Sequence, residues 1–500
     1  MSTQLEDGGA GHGGREIVGR AAWLLAGRVL GDLGLFVYYL LLARRFGASG
    51  IGDYSFAFAF ASFFTLGVDF GLRNLLTRRV ARNRDEAPRI AVSVALTQAG
   101  FALLLLAILL ALSRVLGYSP TLVGYLVLAF LALALQMMGV SFSAFLEAVG
   151  EMRLSAIAAL LQKGVVVVGG IALVIGGASL TMVLATHVLS GVVYLVIGWR
   201  WTRREFGRFD MAFRPRLAGG LLKAALPFLA TVALWEVYSR IDIVMLHLFR
   251  SEVETGLYAA AYKLISAPLF VAQLVGVAVF PTLARAVADE LPELENVFRE
   301  TLRVLSVLGL AGGVLLLTAG DALPLLLFGD EFAASGRLVR MMAPLFVLEF
   351  GMVPLWRLLL AMDRERTLVL LRLGSVGLNV ALNLVLIPLY GPMGAVVTSL
   401  ISEGVLAVAQ FVLCLRVVPS PFGGHGLVFV FVATAAVLAG LGGRVVLPWP
   451  FAALGAGAIF GALVLATGLV RPTEITGLFG AHRGPGAGDA GSGHDRRGGE

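Results

Sequence analysis

Charge is scarce in this 500-residue chain: Asp, Glu, Lys and Arg together make up 14% of it, against roughly a quarter in an ordinary soluble domain. So few charges exclude a soluble fold of this length. There is one cysteine, Cys414, inside an apolar stretch, so no intrachain disulfide forms and the residue is expected to be lipid-facing or packed. No GxxxxGK[ST] loop is present, which leaves the chain no visible means of using ATP itself. The absence of HExxH and of spaced Cys/His clusters argues against a metal enzyme, and no cofactor or metal is expected. No segment outside the apolar runs is long enough for a catalytic domain; the longest internal one, Arg200 to Ala225, is basic. An enzyme is therefore not expected. No small-residue cleavage site follows the first apolar stretch, which is expected to remain as an anchor.

Apolar residues, by contrast, supply 58% of the chain. Runs of roughly 20 residues recur, each long enough to cross a hydrocarbon core about 30 Å thick as a helix. The fold class read from them is all-α integral membrane with about fourteen transmembrane helices. The first six run from Ile17 to Ala43, Tyr54 to Leu72, Ile90 to Val115, Leu122 to Leu146, Leu154 to Ile175 and Leu180 to Trp199. Six more follow: Leu226 to Leu248, Leu257 to Leu283, Leu302 to Leu317, Leu338 to Ala361, Leu368 to Pro388 and Met393 to Leu415. Leu427 to Leu447 and Phe451 to Val470 are the last two. The domains expected are an N-terminal arm (1–16), a first six-helix bundle (17–199), a basic linker (200–225), a second six-helix bundle (226–415), helices 13 and 14 (427–470) and a Gly-rich, charged, disordered tail (472–500).

Lys and Arg exceed Asp and Glu by seven, but most of the excess is arginine between apolar runs, a topology signal and not a nucleic-acid footprint. Arg73, Arg78, Arg79, Arg82, Arg84 and Arg89 follow span two, and Arg200, Arg203, Arg204, Arg208, Arg214, Arg216 and Lys223 follow span six. Both loops are expected in the cytoplasm, which puts both termini there as well. Loops near Gly176 and Tyr390 lack basic residues and fit the outside; Arg44 and Arg45 run against the rule but are outnumbered. A faint repeat relates the two bundles: Gly52-Asp53-Tyr54-Ser55-Phe56-Ala57 is similar to Gly256-Leu257-Tyr258-Ala259-Ala260-Ala261, and Ala148 to Arg153 echoes Ala361 to Arg366. Parallel repeats of this kind place a substrate site between the halves near the midplane.

Ionisable residues inside spans are the sharpest clue, because each costs roughly 2.5 to 3.5 kcal/mol at mid-depth on insertion scales and so faces protein or a watery cavity. They are Arg28 and Asp32, Lys163, His187, Glu236, Arg240, Asp242, Lys263, Glu349, Arg357, Arg372 and Glu403. Arg28, Arg240, Lys263 and Lys163 are the candidate anion-binding set, since an arginine fork grips phosphate bidentately and lysine adds a mobile point charge. Asp32, Glu236 and Asp242 are the candidates for a coupling ion. The bland alternative is that such charges only neutralise one another, although Arg240 and Asp242, two apart, point to different helix faces. Arg372 is expected to snorkel, His187 to be a packing residue, and Asn379 and Asn383 to clamp a neighbouring helix. Prolines at 227, 268, 281, 324, 344, 354 and 388 are expected to kink or end spans.

Several segments together carry a family resemblance. Leu42 to Gly47 followed by Gly52 to Ala57, then Asp69-Phe70-Gly71-Leu72, then Arg240-Ile241-Asp242 with Gly256-Leu257-Tyr258, then Asn383 to Gly394, resemble in order and spacing the polysaccharide or O-antigen flippases. Those belong to the multidrug/oligosaccharidyl-lipid/polysaccharide exporter superfamily. The resemblance implies two six-helix bundles around a V-shaped cavity that opens to the two membrane faces in turn. Spans thirteen and fourteen are extra to that core, as in lipid II flippases, whose cavity arginines hold the lipid pyrophosphate; Arg28 and Arg240 are the nearest matches here. The implied function is flipping of a polyprenyl-pyrophosphate-linked oligosaccharide across a bacterial plasma membrane, with membrane lipids and other polysaccharide assembly proteins as expected partners and no nucleic acid. A cation-coupled drug exporter of the same superfamily is the nearest rival, though an acidic cavity would suit it better. A polysaccharide polymerase or ligase would need a larger outer loop, and a non-transporting scaffold would tolerate neutralised charges.

Overall fold

The structure is a computed structural model that describes residues 10–469 apart from 211, 290–292, 423 and 447, with side chains described from residue 27 onward except at 28, 230, 231 and 444–446. The Arg28 side chain therefore lies outside the described residues. Among the described residues every regular element is helical: α1 (Ala10–Asp69), α2 (Leu72–Arg82), α3 (Ala87–Val115), α4 (Pro120–Ala148), α5 (Met152–Gly164), α6 (Gly170–Ile175), α7 (Leu180–Phe206), α8 (Pro215–Phe249) and α9 (Glu252–Ser266). They continue as α10 (Leu269–Ala288), α11 (Leu294–Ala319), α12 (Ala322–Phe328), α13 (Ser335–Ala361), α14 (Glu365–Tyr390), α15 (Pro392–Leu415), α16 (Gly426–Val446) and α17 (Trp449–Ala466).

Twelve of the described helical stretches, or thirteen if bent α8 is taken as one span, are long and apolar enough to cross a membrane. Fourteen were expected. The difference arises largely at the start, where Val29–Arg82 forms one stretch of 54 residues, far beyond the roughly 20 that cross a bilayer. Expected span one from Val29 onward and all of expected span two lie in it, and the backbone breaks between them at Gly47 (φ 65, ψ −171), a conformation that costs glycine little. Local chemistry sets several other boundaries. Ser119, Ser179 and Ser251 each cap a helix by accepting a backbone N–H through the hydroxyl, and Pro120 occupies the first turn of α4, where no N–H is missed. Within the basic linker expected at 200–225, α7 runs on to Phe206 and α8 starts at Pro215, since arginine is a good helix former. Pro227 lies inside α8, which bends by 55° between Pro215–Leu229 and Val232–Phe249.

The chain divides into two compact units. The first holds the chain up to Ala267 with Ala319–Leu345 and Arg366–Leu406. One of its cores packs Leu72, Leu76 and Val80 of α2 on Ile90, Phe142 and Phe145, and another gathers Phe56, Phe60, Leu126 and Phe130. α2 shows why it docks: its apolar residues recur every four positions, while Arg73 and Arg82 stay exposed. The second unit holds Pro268–Thr318, Phe346–Glu365 and the chain from Ala407 onward, with a core of Val304 and Val314 from α11, Phe429 and Val432 from α16, and Phe460 from α17. Cys414 is buried here with its thiol toward the Leu355 carbonyl, so of the two environments expected for it the packed one is found.

Within the first unit α1 and α9 cross at very short range. A Cβ added to Gly52 would strike the Glu252 carbonyl oxygen, and one added to Gly256 would strike that of Ala48. The contact is reciprocal between the two similar sequence segments, each glycine meeting the carbonyl four residues before the other. Only a residue without a side chain permits backbones this close.

Candidate functional site in the first unit

The crossing of α1 and α9 stands beside a cavity of about 590 Å³ in the first unit, a size in the usual range for small-ligand sites. Its walls come from α1, α4, α5, α7, α8 and α9. Of the four cations singled out from sequence, Lys163, Arg240 and Lys263 all line it. The fourth, Arg28, is on α1 with its side chain outside the described residues.

Two of the three cations are already paired. Lys163 Nζ lies 2.5 Å from Asp32 Oδ1, and Arg240 forms an ion pair with Glu236 one turn earlier on α8. Lys263, from α9, has its ammonium 5.4 Å from the centroid of the Tyr39 ring and no ion-pair partner among the described residues. A cation over a ring face is only weakly held compared with one in an ion pair. The cavity thus presents two neutralised pairs and one unmatched positive charge. An entering anion can take Lys263 directly and compete with Glu236 for Arg240. Lys163 is positioned where α5 passes into a π-helical turn, Val165–Gly169, whose wider winding shifts the register of the residues around it.

Asp242 belongs elsewhere. It is two residues from Arg240 and, as helix geometry requires, points away from it; it does not line the cavity. Its carboxylate accepts from Asn383 Nδ2 at 2.5 Å, Tyr258 OH at 2.8 Å and Ser399 Oγ at 3.0 Å. Asn383 also donates to Asn379 Oδ1 at 2.9 Å, and Asn379 donates to Ser402 Oγ at 3.2 Å. The two asparagines tie α14 to α8 and α15, the clamp expected of them. Thr398 Oγ1 and Asn383 Oδ1 are buried acceptors without a partner among the described residues.

Two expectations need adjustment. Arg372 does not snorkel: its guanidinium bonds Glu403 at 2.8 Å, with Glu403 1% exposed, and stacks 4.6 Å from the Tyr238 ring. A carboxylate within reach holds a guanidinium more strongly than the route to water does. His187 packs, as expected, but on the cavity wall, with Nε2 3.1 Å from Tyr38 OH and 3.2 Å from Tyr54 OH. The aromatic part of the cavity, Tyr38, Tyr39, Tyr54, Phe58 and Trp235, was not singled out from sequence. Its only signal was polar aromatics at helical spacing in apolar runs, and Tyr38 to Tyr54 is too far apart in sequence to read as one face.

A family model described as "Polysaccharide biosynthesis protein" matches residues 17–287, more than half of the chain. The chain belongs to the polysaccharide biosynthesis protein family. Two relatives of this family member come from Haloferax volcanii. The "Probable low-salt glycan biosynthesis flippase Agl15" is 23% identical over 372 residues, 74% of this chain and 77% of the relative. The "Probable flippase AglR" is 28% identical over 214 residues, 40% of this chain and 43% of the relative. Among solved structures, that of the lipid II flippase MurJ in an inward closed conformation superposes with a TM-score of 0.68 at 11% identity, covering 90% of this chain and 100% of MurJ. An inward-facing multidrug resistance MATE family transporter gives 0.61 at 15% identity, over 79% of this chain and 96% of the transporter. These likenesses show the fold: an all-helical membrane architecture shared with MurJ and MATE transporters. The polysaccharide biosynthesis protein described here is accordingly a multi-pass membrane protein, and the kinship with polysaccharide flippases seen in its motifs is borne out.

Proposed function

We propose that this protein flips a polyprenyl-pyrophosphate-linked oligosaccharide from the cytoplasmic to the outer leaflet of the plasma membrane by alternating access, and that it is a transporter and not an enzyme. The observation that carries this reading is the convergence of Lys163, Arg240 and Lys263 from three helices on one cavity. A diphosphate in hydrocarbon is prohibitively costly, and these cations supply the oil-free surroundings it needs. Arg240 and Lys263 hold the pyrophosphate oxygens, Lys163 and Arg28 assist, the sugars occupy the remaining space, and the polyprenyl tail stays in lipid. Membership of a polysaccharide biosynthesis family and two archaeal relatives named as probable flippases support the flippase reading. Both termini lie in the cytoplasm, on the strength of the arginine-rich loops.

Asp242 is the best placed of the three acids to carry a coupling ion. Asp32 and Glu236 are each held by a cation, whereas Asp242 has only neutral donors around it, with the free oxygens of Asn383 and Thr398 on the neighbouring helices. A proton or a small monovalent cation there would change that hydrogen-bond network and favour one access state over the other. Transfer of a fluorescent polyprenyl-pyrophosphate oligosaccharide across liposomes containing the purified protein tests the proposal. Wild type is expected to flip the probe, and Arg240→Ala and Lys263→Ala are expected to lose most of that activity while inserting normally. No flipping by wild type would sink the substrate assignment, and full activity in both variants would mean the cations are structural.

A further inference from the structure

The second unit holds a spanning cation of a different kind. Arg357 lies one turn before the end of α13 and has no ion-pair or hydrogen-bond partner among the described residues; its Nε is buried without an acceptor. The guanidinium is nevertheless held in place. Its Cζ stands 3.9 Å from the Trp356 ring centroid and 5.7 Å from that of Phe280 on α10. Gly276, one turn before Phe280, makes room for it: a Cβ there would come within 2.6 Å of Val353 Cγ1 and 3.1 Å of Arg357 Nε.

An arginine near a helix end ordinarily snorkels, extending its head to water. Arg357 instead lies back against its own helix and α10, with two rings and a glycine shaping its slot. α13 has 27 residues, more than the roughly 20 that fill a hydrocarbon core, so a position about 6 Å from its end falls at the boundary between the hydrocarbon and the lipid headgroups. A planar fork, fixed by aromatic faces at that depth and lacking a protein anion, matches a phosphate oxygen pair. We propose that Arg357, clamped by Trp356 and Phe280, binds the phosphate of a membrane lipid. None of its three residues lines the cavity of the first unit, and the proposal does not depend on the flippase assignment. A bilayer phospholipid and a polyprenyl phosphate offer the same chemistry.

The test uses the purified full chain, delipidated in detergent and titrated with phosphatidylglycerol or with a galactosyl diacylglycerol of the same acyl chains, read by native mass spectrometry. Wild type is expected to retain the phosphate-bearing lipid in preference to the galactolipid. Arg357→Gln is expected to weaken that retention about tenfold, in line with loss of a charge-assisted bidentate contact. Arg364→Gln, exposed just beyond the same helix end, is expected to leave it unchanged. Should the Gln variant lose its monodisperse elution profile, Arg357→Lys and Phe280→Leu keep the site testable, each expected to bind more weakly than wild type. Competition with polyprenyl phosphate then identifies the source: displacement at equal concentration assigns the site to the carrier lipid, and none assigns it to the bilayer. Displacement by inorganic phosphate, wild-type binding with no preference for phosphate, or equal retention by Arg357→Gln would each overturn the proposal.

Discussion

Arg240 and Asp242 stand two residues apart on α8 and live in opposite surroundings. Arg240 lines the cavity, its side chain 38% exposed, and its ion-pair partner among the described residues is Glu236. Asp242 is enclosed by donors from three other helices, α9, α14 and α15, and its partners Tyr258, Asn383 and Ser399 are buried. A cation in one half-exposed ion pair is free to exchange that partner at small cost, because a single pair in such surroundings contributes little. A carboxylate that gathers donors from three helices is best surrounded, because low dielectric strengthens each satisfied bond and penalises each broken one, so any change at that carboxylate is felt by all three helices at once. The same distinction separates the paired cations of the cavity from Arg372, whose carboxylate partner Glu403 is almost wholly buried.

Breaking the enclosed side is expected to have the largest effect. Asp242→Ala strands three buried donors and should lower stability by about 3 kcal/mol or more, seen as a clear fall in the thermal midpoint followed by tryptophan fluorescence; an unchanged midpoint would mean the network is loose. Glu403→Ala should come next, at about 3 kcal/mol for leaving Arg372 without its anion, by the same measurement. On the open side stability and function should part. Arg240→Ala is expected to shift stability by less than about 1 kcal/mol while reducing flipping at least about tenfold, which is some 1.4 kcal/mol in the transport barrier. The exchange Glu236→Arg with Arg240→Glu sharpens the contrast, since it keeps the pair but moves its charges, and should restore stability without restoring transport. Smallest of all, a double-mutant cycle on Lys163→Met and Asp32→Asn should give a coupling below about 1 kcal/mol; a larger value would place that pair with the enclosed group.

Much of this was legible in the residues. Apolar runs gave the spans because the bilayer demands continuous helix, and the periodicity rule that separates i from i+2 already told Arg240 and Asp242 apart. The pairing of Asn379 and Asn383 with a neighbouring helix could be anticipated for the same reason, though not its target, Asp242, which is 141 residues away from Asn383. The helix ends within the basic linker, Phe206 and Pro215, were not legible because basic residues report the side of the membrane and say nothing of where a helix ends. The cavity's tyrosines escaped notice because they come together only when α1 folds back at Gly47.

By itself, then, the sequence determined that this is an all-helical, multi-pass membrane protein, which residues are costly enough in oil to require a reason, and which family its motifs belong to. Those properties are local: hydropathy, spacing along one helix and the order of short motifs. Tertiary structure alone decided which charges neutralise each other, which cavity cation has no ion-pair partner among the described residues, and which glycines let α1 and α9 touch. Partner choice depends on distances of a few ångströms between segments remote in sequence, and no local pattern encodes those distances; only the packing of the helices sets them.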